Sequence, residues 1–293
     1  MTSLSFSMPA GACDCHMHVF GPEADFPLSP KRSYTPPPAT LEDYLARAAA
    51  LGLARVVFVQ PSPYGVDNSC LLDALRRMGG AGRGIVAIDA STQDADLAAM
   101  DAAGVRGVRV TLNAKGSDSA EAISGAIAGL VPRLAPLGWQ IQIFASLASI
   151  AGAAESIRTA GVPLVFDHMA LTKPGHLDSP AFQTLKELLS TGACWVKLSG
   201  ADRVTGSDTD FAPAVPVMRA LVAANPERVV WGSDWPHTGR HAGGAGGEMP
   251  LNPHRPLDDG ALLSLLGEAL GDAQLLRRVL VDNPARLYGF PPA

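Results

Sequence analysis

The sequence predicts an α/β fold of one domain, a (β/α)8 TIM barrel spanning residues 1–293. Three observations carry that expectation. Short β-rich runs alternate with alanine- and leucine-rich stretches along the chain, and such alternation implies parallel strands joined by crossover helices. The side chains that bear chemistry fall at or near the C-terminal ends of those runs, the face on which such barrels carry their active sites. The first run continues into Val19-Phe20-Gly21-Pro22, which lacks the G-x-G-x-x-G turn of a dinucleotide-binding open sheet.

The elements follow in order. Ala12–His18 is the first strand and ends in His16-Met17-His18. The connection over 21–40 is proline-rich, with Lys31, Arg32 and Tyr34, and follows a strand end, so it lies over the active face. Leu41–Leu51 has helical composition, and Arg55–Gln60 (RVVFVQ) is a β-branched second strand. Asp67-Asn68 reads as the cap of a helix over Asn68–Met78. Gly84–Asp89 is the third strand, Asp94–Ala103 a helix, Val105–Thr111 the fourth strand and Ala120–Leu134 a helix. Gln140–Phe144 (QIQIF) alternates strictly, as a fifth strand should. The helix Leu147–Ala160, the strand Pro163–His168, the helix Ser179–Ser190, the strand Cys194–Leu198, the helix Ala212–Ala224 and the strand Arg228–Asp234 complete eight repeats. Residues 235–258 form a long connection with a glycine-rich stretch at 243–247, suited to a lid, and carry His241, His254 and Arg255. The helices Asp259–Leu270 and Asp272–Val281 close the chain.

Composition narrows the function classes. The chain is 47% hydrophobic and 17% charged, which suits a buried core rather than disorder. A net charge of −5 gives no basic footprint for a nucleic-acid partner. No apolar stretch approaches the ~20 residues that span a bilayer, and Met1–Gly11 has no signal-peptide pattern. The expectation is a cytoplasmic protein with a small-molecule partner and no membrane partner; the oligomeric state stays open. Cys13, Cys15, Cys70 and Cys194 lack C-x-x-C spacing and read as reduced, buried thiols. By strand alternation Cys13 and Cys15 face away from His16.

Alternation also groups the polar residues. Asp14, His16 and His18 share one face of the first strand, Leu164, Phe166 and His168 one face of the sixth, and Val230, Gly232 and Asp234 one face of the eighth. Three imidazoles and a carboxylate at strand ends can act in two ways. Neutral His16, His18 and His168 with Asp234 can bind one Zn2+ and a water. Without metal, protonated imidazoles can stabilise an oxyanion, with Asp234 taking a proton from water. Both lead to water addition at an ester, lactone or amide carbon. Lys197 reads as a buried structural lysine, and Ser199 and Ser233 lack an adjacent base. Asp89 reads as a residue that orients a neighbour.

The runs Cys13–Pro22 (CDCHMHVFGP), Val165–Met169 (VFDHM), Val230–His237 (VWGSDWPH) and Asp282–Gly289 (DNPARLYG) resemble the amidohydrolase superfamily. More narrowly they resemble its lactone hydrolase branch, which also holds a sugar-lactone isomerase. The resemblance implies a (β/α)8 barrel, His16, His18, His168 and Asp234 as central residues, Asp234 as general base, and His237 as an active-site neighbour. It implies either no metal or a single zinc, since Gln140, Gln142 and Phe144 offer no further ligand on the fifth strand. Arg109, Arg203 and Tyr34 match substrate-binding positions of the branch's dicarboxylate lactonases. Lys115 and Leu171 stand where those enzymes carry further arginines, Phe144 where they have a tyrosine, and Tyr64 where they have a histidine. Lys115 and Tyr64 remain candidate substrate contacts. Fewer cationic forks imply a lactone with one carboxylate, from aromatic or sugar-acid breakdown. An isomerase or decarboxylase on the same barrel is the alternative.

Overall fold

The structure, a computed structural model, describes residues 2, 4–112, 117–239 and 251–291. Eight strands form one sheet in sequential order: β1 (Cys13–Met17), β2 (Arg55–Val59), β3 (Gly82–Val86), β4 (Val105–Thr111), β5 (Gln140–Phe144), β6 (Leu164–Phe166), β7 (Trp195–Leu198) and β8 (Val229–Trp231). Each hydrogen-bonded neighbour is parallel. The barrel closes just past β8, where Asp234 N–H donates to the His16 carbonyl and His18 N–H to the Trp235 carbonyl, both at 2.8 Å. The seam therefore joins two of the motifs. With helices between the strands, this is the (β/α)8 barrel the sequence predicts.

Local sequence sets the helix ends. Thr40 and Asp43 form a reciprocal capping box before the helix Leu41–Leu51, which ends at Gly52 in the left-handed region. The stretch expected as one helix over Leu147–Ala160 is two, Leu147–Gly152 and Ala154–Arg158, broken at Ala153. The last helix begins as Ala273–Arg277 and widens into a π turn over Arg278–Asp282. No helix among the described residues is long and apolar enough to cross a membrane.

Each strand buries both faces, as a parallel barrel requires. Outward residues such as Phe58, Ile141, Ile143, Phe166, Leu198 and Trp231 join the helices in the larger core. Inward residues Cys13, Cys15, Val57, Val59, Ile85, Val165, Trp195 and Val230 form a second core with Tyr288 and Phe290. These last two come from the C-terminal segment, which seals the barrel where the strands begin. Arg83 holds it there by donating to the Tyr288 carbonyl at 3.0 Å and the Gly289 carbonyl at 2.7 Å, with its guanidinium over the Phe290 ring.

Two expectations about strand phase are corrected. In β1 the register shifts between Asp14 and Met17, so three steps on β1 match two on β2. This bulge breaks alternation. Asp14 bonds Ser233 and approaches Tyr44 of the helical layer, whereas His16 faces the barrel interior beside Lys197. Cys13 and Cys15 lie inside too, not on the opposite side from His16. In β6 the inward residue is Val165, while Leu164 and Phe166 pack outward. His168 does not continue their face. The strand stops at Phe166, and His168 takes φ 51°, in the left-handed region.

Candidate active site

Three imidazoles converge on one carboxylate oxygen. His16 Nε2 and His18 Nε2 lie 3.5 Å, and His168 Nε2 3.8 Å, from Asp234 Oδ1. All four residues are buried. The convergence depends on irregular backbone at each contributing strand end: the β1 bulge, the left-handed turn at His168, and another at Asp234 with φ 64°. It also depends on two glycines. A Cβ on Gly232 would sit 2.5 Å from His16 Cβ, and one on Gly200 would sit 2.8 Å from His168 Nδ1. Only hydrogen at these positions lets neighbouring strands bring the rings together.

Each ring has a partner behind it. His18 Nδ1 meets the Val59 carbonyl at 2.8 Å, and His168 Nδ1 the Ser199 hydroxyl at 3.0 Å. His16 Nδ1 lies 3.2 Å from Asp167 Oδ1 and 3.4 Å from Lys197 Nζ. Burial pushes all three imidazoles down, His168 to about 4 and His16 well below the usual range. Burial alone would raise the Asp234 carboxyl. The Arg203 guanidinium, together with the His168, His18 and His16 imidazoles, outweighs that and holds it well below the usual carboxylate range. Arg203 donates through Nε at 2.9 Å and Nη2 at 2.6 Å to Asp234 Oδ2.

Among the described residues His16 Nε2 and Asp234 Oδ1 are buried without a hydrogen-bond partner. Two acceptors facing each other at this depth call for a proton or a cation between them. The buried set His16, His18 and Asp234 has its ligand atoms within 4.8 Å of one another, as has His16, Asp167 and His168. With His168 Nε2 added, the first set offers three nitrogens and one oxygen, donor types that bind Zn2+. The nitrogen or oxygen contacts behind the rings are those that orient metal-binding imidazoles.

The remaining expected residues are placed unequally. Arg109 is at the site: its Nη2 lies 3.4 Å from Asp167 Oδ2, its guanidinium is 5.9 Å from the Phe144 ring centroid, and its buried Nε has no partner among the described residues. Phe144 meets the His168 ring edge-on at 5.2 Å. Tyr34 is buried with its hydroxyl bonded to Ser62 and Thr238, and burial pushes it up to about 12. Tyr64 accepts a hydrogen bond from Gly21 N–H at 3.0 Å and stacks on Phe20, so it braces the proline-rich connection. His237 is tied to the site by its backbone, which donates to the Asp234 carbonyl at 2.9 Å. Its ring turns to Asp259, with Nε2 2.7 Å from Oδ1, and Arg47 takes the other oxygen of Asp259. Lys115 lies outside the described residues, as do His241 and the glycine-rich part of the 235–258 connection. From the rest of that connection, His254 stacks on Phe20 and Arg255 pairs with Asp202 and Asp208.

Asp167, Gln142 and Lys197 are at the site but were not singled out as site residues by the sequence. Lys197 donates to Gln142 Oε1 at 2.7 Å and to the Cys15 carbonyl at 2.8 Å, and Gln142 Nε2 donates to Asp167 Oδ2 at 3.1 Å. The available signal was three polar or charged residues on otherwise apolar barrel strands. For Asp167 it was masked by the assumed phase of β6, which pointed it away.

Residues 13–290 match the amidohydrolase family profile. The chain is 37% identical over 292 residues to the 4-sulfomuconolactone hydrolase of Rhizobium radiobacter, covering 98% of this chain and 92% of that one. It is 34% identical over 295 residues to the 2-pyrone-4,6-dicarboxylate hydrolase of Comamonas testosteroni, covering 97% and 92%. The crystal structure of a putative 2-pyrone-4,6-dicarboxylic acid hydrolase from Pseudomonas putida superposes with a TM-score of 0.82 at 32% identity, covering 98% of this chain and 100% of that one. A profile match that takes in all eight strands, together with relatives above 30% identity over nearly their whole length, places this chain in the amidohydrolase family.

Proposed function

We propose that the protein is a hydrolase that opens a lactone bearing one carboxylate, with Asp234 as the base for the attacking water. One observation carries this reading: three buried imidazole Nε2 atoms and Asp234 Oδ1 share one point, with Arg203 and Arg109 beside it. The kinship with lactone hydrolases supports the substrate class.

The chemistry at the imidazoles favours the metal-binding form. The Val59 carbonyl can only accept, so His18 carries its proton on Nδ1 and presents a lone pair from Nε2. Burial resists a second proton on each ring. A neutral ring with its proton behind cannot donate to an oxyanion. His16, His18, His168 and Asp234 would instead hold a single Zn2+. When bound, the ion would acidify a water and polarise the lactone carbonyl.

The chain's own residues supply the rest. Arg203 is bonded to Asp234 Oδ2 and is 22% exposed along its side chain, so it can reach a substrate carboxylate without leaving the mouth. Arginine's planar fork suits that contact. Drawn toward substrate, it would leave Asp234 more basic as water is attacked. Arg109 Nε offers a second donor. His237, with its ring braced by Asp259, supports the Asp234 turn through its backbone N–H.

The test is metal content by plasma mass spectrometry, paired with a pH-indicator assay across a lactone panel before and after chelation. Stoichiometric zinc, with acid release from carboxylated lactones lost on chelation and restored by zinc, is expected. Turnover of a lactone to an isomer without acid release would replace hydrolysis with isomerisation. No turnover of any carboxylated lactone would sink the substrate class.

A further inference from the structure

Behind His16 sit two neighbours that impose opposite tautomers. Asp167 Oδ1 is 3.2 Å from His16 Nδ1, and Lys197 Nζ is 3.4 Å from the same atom. An ionised carboxylate only accepts and an ammonium only donates. If Lys197 wins, the His16 proton sits on Nε2 and points at Asp234, blocking the lone pair. If Asp167 wins, the proton sits on Nδ1 and the Nε2 lone pair faces the reaction centre.

The hydrogen-bond inventory decides between them. Lys197 already has two short acceptors, the Cys15 carbonyl at 2.8 Å and Gln142 Oε1 at 2.7 Å. Its third proton still lies near charge of opposite sign, with Asp167 Oδ1 at 3.7 Å. Asp167 Oδ2 has Gln142 Nε2 at 3.1 Å and Arg109 at 3.4 Å. Asp167 Oδ1, by contrast, is fully buried and has no hydrogen-bond partner among the described residues, with the His16 ring nitrogen 3.2 Å away. Leaving that oxygen bare costs more than leaving one ammonium proton loosely placed, because the Lys197 charge keeps two short hydrogen bonds and the oxygen would have none. The His16 ring is the donor that satisfies it.

We infer that Asp167 is a positioning residue that takes the Nδ1 proton of His16 and so turns the Nε2 lone pair toward Asp234, while Gln142 and Arg109 hold the Asp167 carboxylate in place. Asp167 touches neither substrate nor the reacting atoms and acts through His16. The inference rests on the reading that His16 works through Nε2. The tautomer can be measured without substrate, so its failure is separable from failure of the lactone assignment.

The experiment is long-range proton–nitrogen NMR on protein carrying 15N-labelled histidine, as purified and after chelation. The His16 signals are assigned by their loss in His16→Gln. His16 is expected as the Nδ1–H tautomer in the unmodified protein and in Lys197→Met, where Asp167 keeps its place. In Asp167→Asn the new amide presents its NH2 group to Nδ1, since Gln142 and Arg109 already claim the oxygen. In the chelated, metal-free protein His16 should then switch to the Nε2–H form. On the preferred lactone, kcat should fall about 100-fold or more, a loss on the scale of a misplaced catalytic imidazole, with KM changed less than about threefold. If Asp167→Asn does not fold, as judged by circular dichroism, the spectra of the unmodified protein and Lys197→Met decide alone. An Nε2–H His16 in the unmodified protein, or a tautomer switch in Lys197→Met, would overturn the inference. So would a folded, metal-free Asp167→Asn variant that keeps the Nδ1–H form.

Discussion

At the scale of single residues, the site is governed by what each polar atom lacks. Asp234 Oδ2 is satisfied by Arg203, while Oδ1 faces three imidazole nitrogens without a donor. Asp234→Asn keeps the shape and removes the base, so kcat on the preferred lactone should fall by ~10²- to 10⁴-fold. Retention of wild-type turnover in steady-state assays would refute the role. Arg203 and Arg109 differ from Asp234 in what they should change. Loss of a charged hydrogen bond is worth ~1.5–3 kcal/mol, so Arg109→Ala should raise KM for a carboxylated lactone about 10- to 100-fold and leave KM for an uncharged lactone nearly unchanged. Arg203→Ala should do the same and also alter kcat, because it frees Asp234. Equal effects on both lactone types would remove the carboxylate contact. The histidines and Asp234 were legible in the sequence because two imidazoles one residue apart, and two further motifs at strand ends, are rare without a function. Asp167 was not, since its chemistry depends on three side chains from other strands.

At the scale of elements, departures from ideal strands build the site. The β1 bulge separates Asp14 from His16, and Asp14 instead bonds Ser233 across the barrel seam at 2.6 Å. The close approach of that seam is a steric matter. In Gly232→Ala the added methyl would lie 2.5 Å from His16 Cβ and 2.6 Å from His16 N, which is backbone and cannot swing away. Overpacking of this kind costs ~1–3 kcal/mol. The urea midpoint should drop accordingly, and zinc affinity with it, because His16 is displaced. An unchanged midpoint and unchanged zinc binding would show that the seam can relax. Strand order and most helix limits could be read from periodicity and composition, as with Leu41–Leu51 and Ala120–Leu134. The bulge and the left-handed turns at His168 and Asp234 could not, because alternation assumes an unbroken strand.

At the scale of the whole molecule, buried titratable groups couple stability to pH. The His168 and His254 imidazoles are both pushed down to about 4 by burial, so between about 4 and the ordinary histidine value the unfolded chain holds protons that the fold does not. Their contribution to stability is present at neutral pH and is lost as pH falls through that window. Asp14 works the other way: burial pushes it up to about 6, so its contribution is present in acid and lost as pH rises through that value. These two protons against one give a net gain with rising pH on the order of 1 kcal/mol per pH unit from about 4 to 6, and the depressed His16 and His18 imidazoles add to it. Denaturant melts of the metal-free protein across this range should show it, and His168→Gln should flatten the slope. A stability maximum near pH 4 would contradict the balance.

The sequence by itself determined the architecture and the family. Eight alternating repeats must bury two-faced strands under helices, and a barrel built that way carries its active site at the C-terminal ends of its strands. It also marked His16, His18, His168 and Asp234, whose residue types are informative wherever they lie. Only the tertiary structure decided that Arg203 rests on Asp234, that Tyr64 braces a loop, and that Asp167 stands behind His16. The physical reason is that a side chain's hydrogen-bond partner is set by geometry between strands distant in sequence, to which periodicity within one strand is blind.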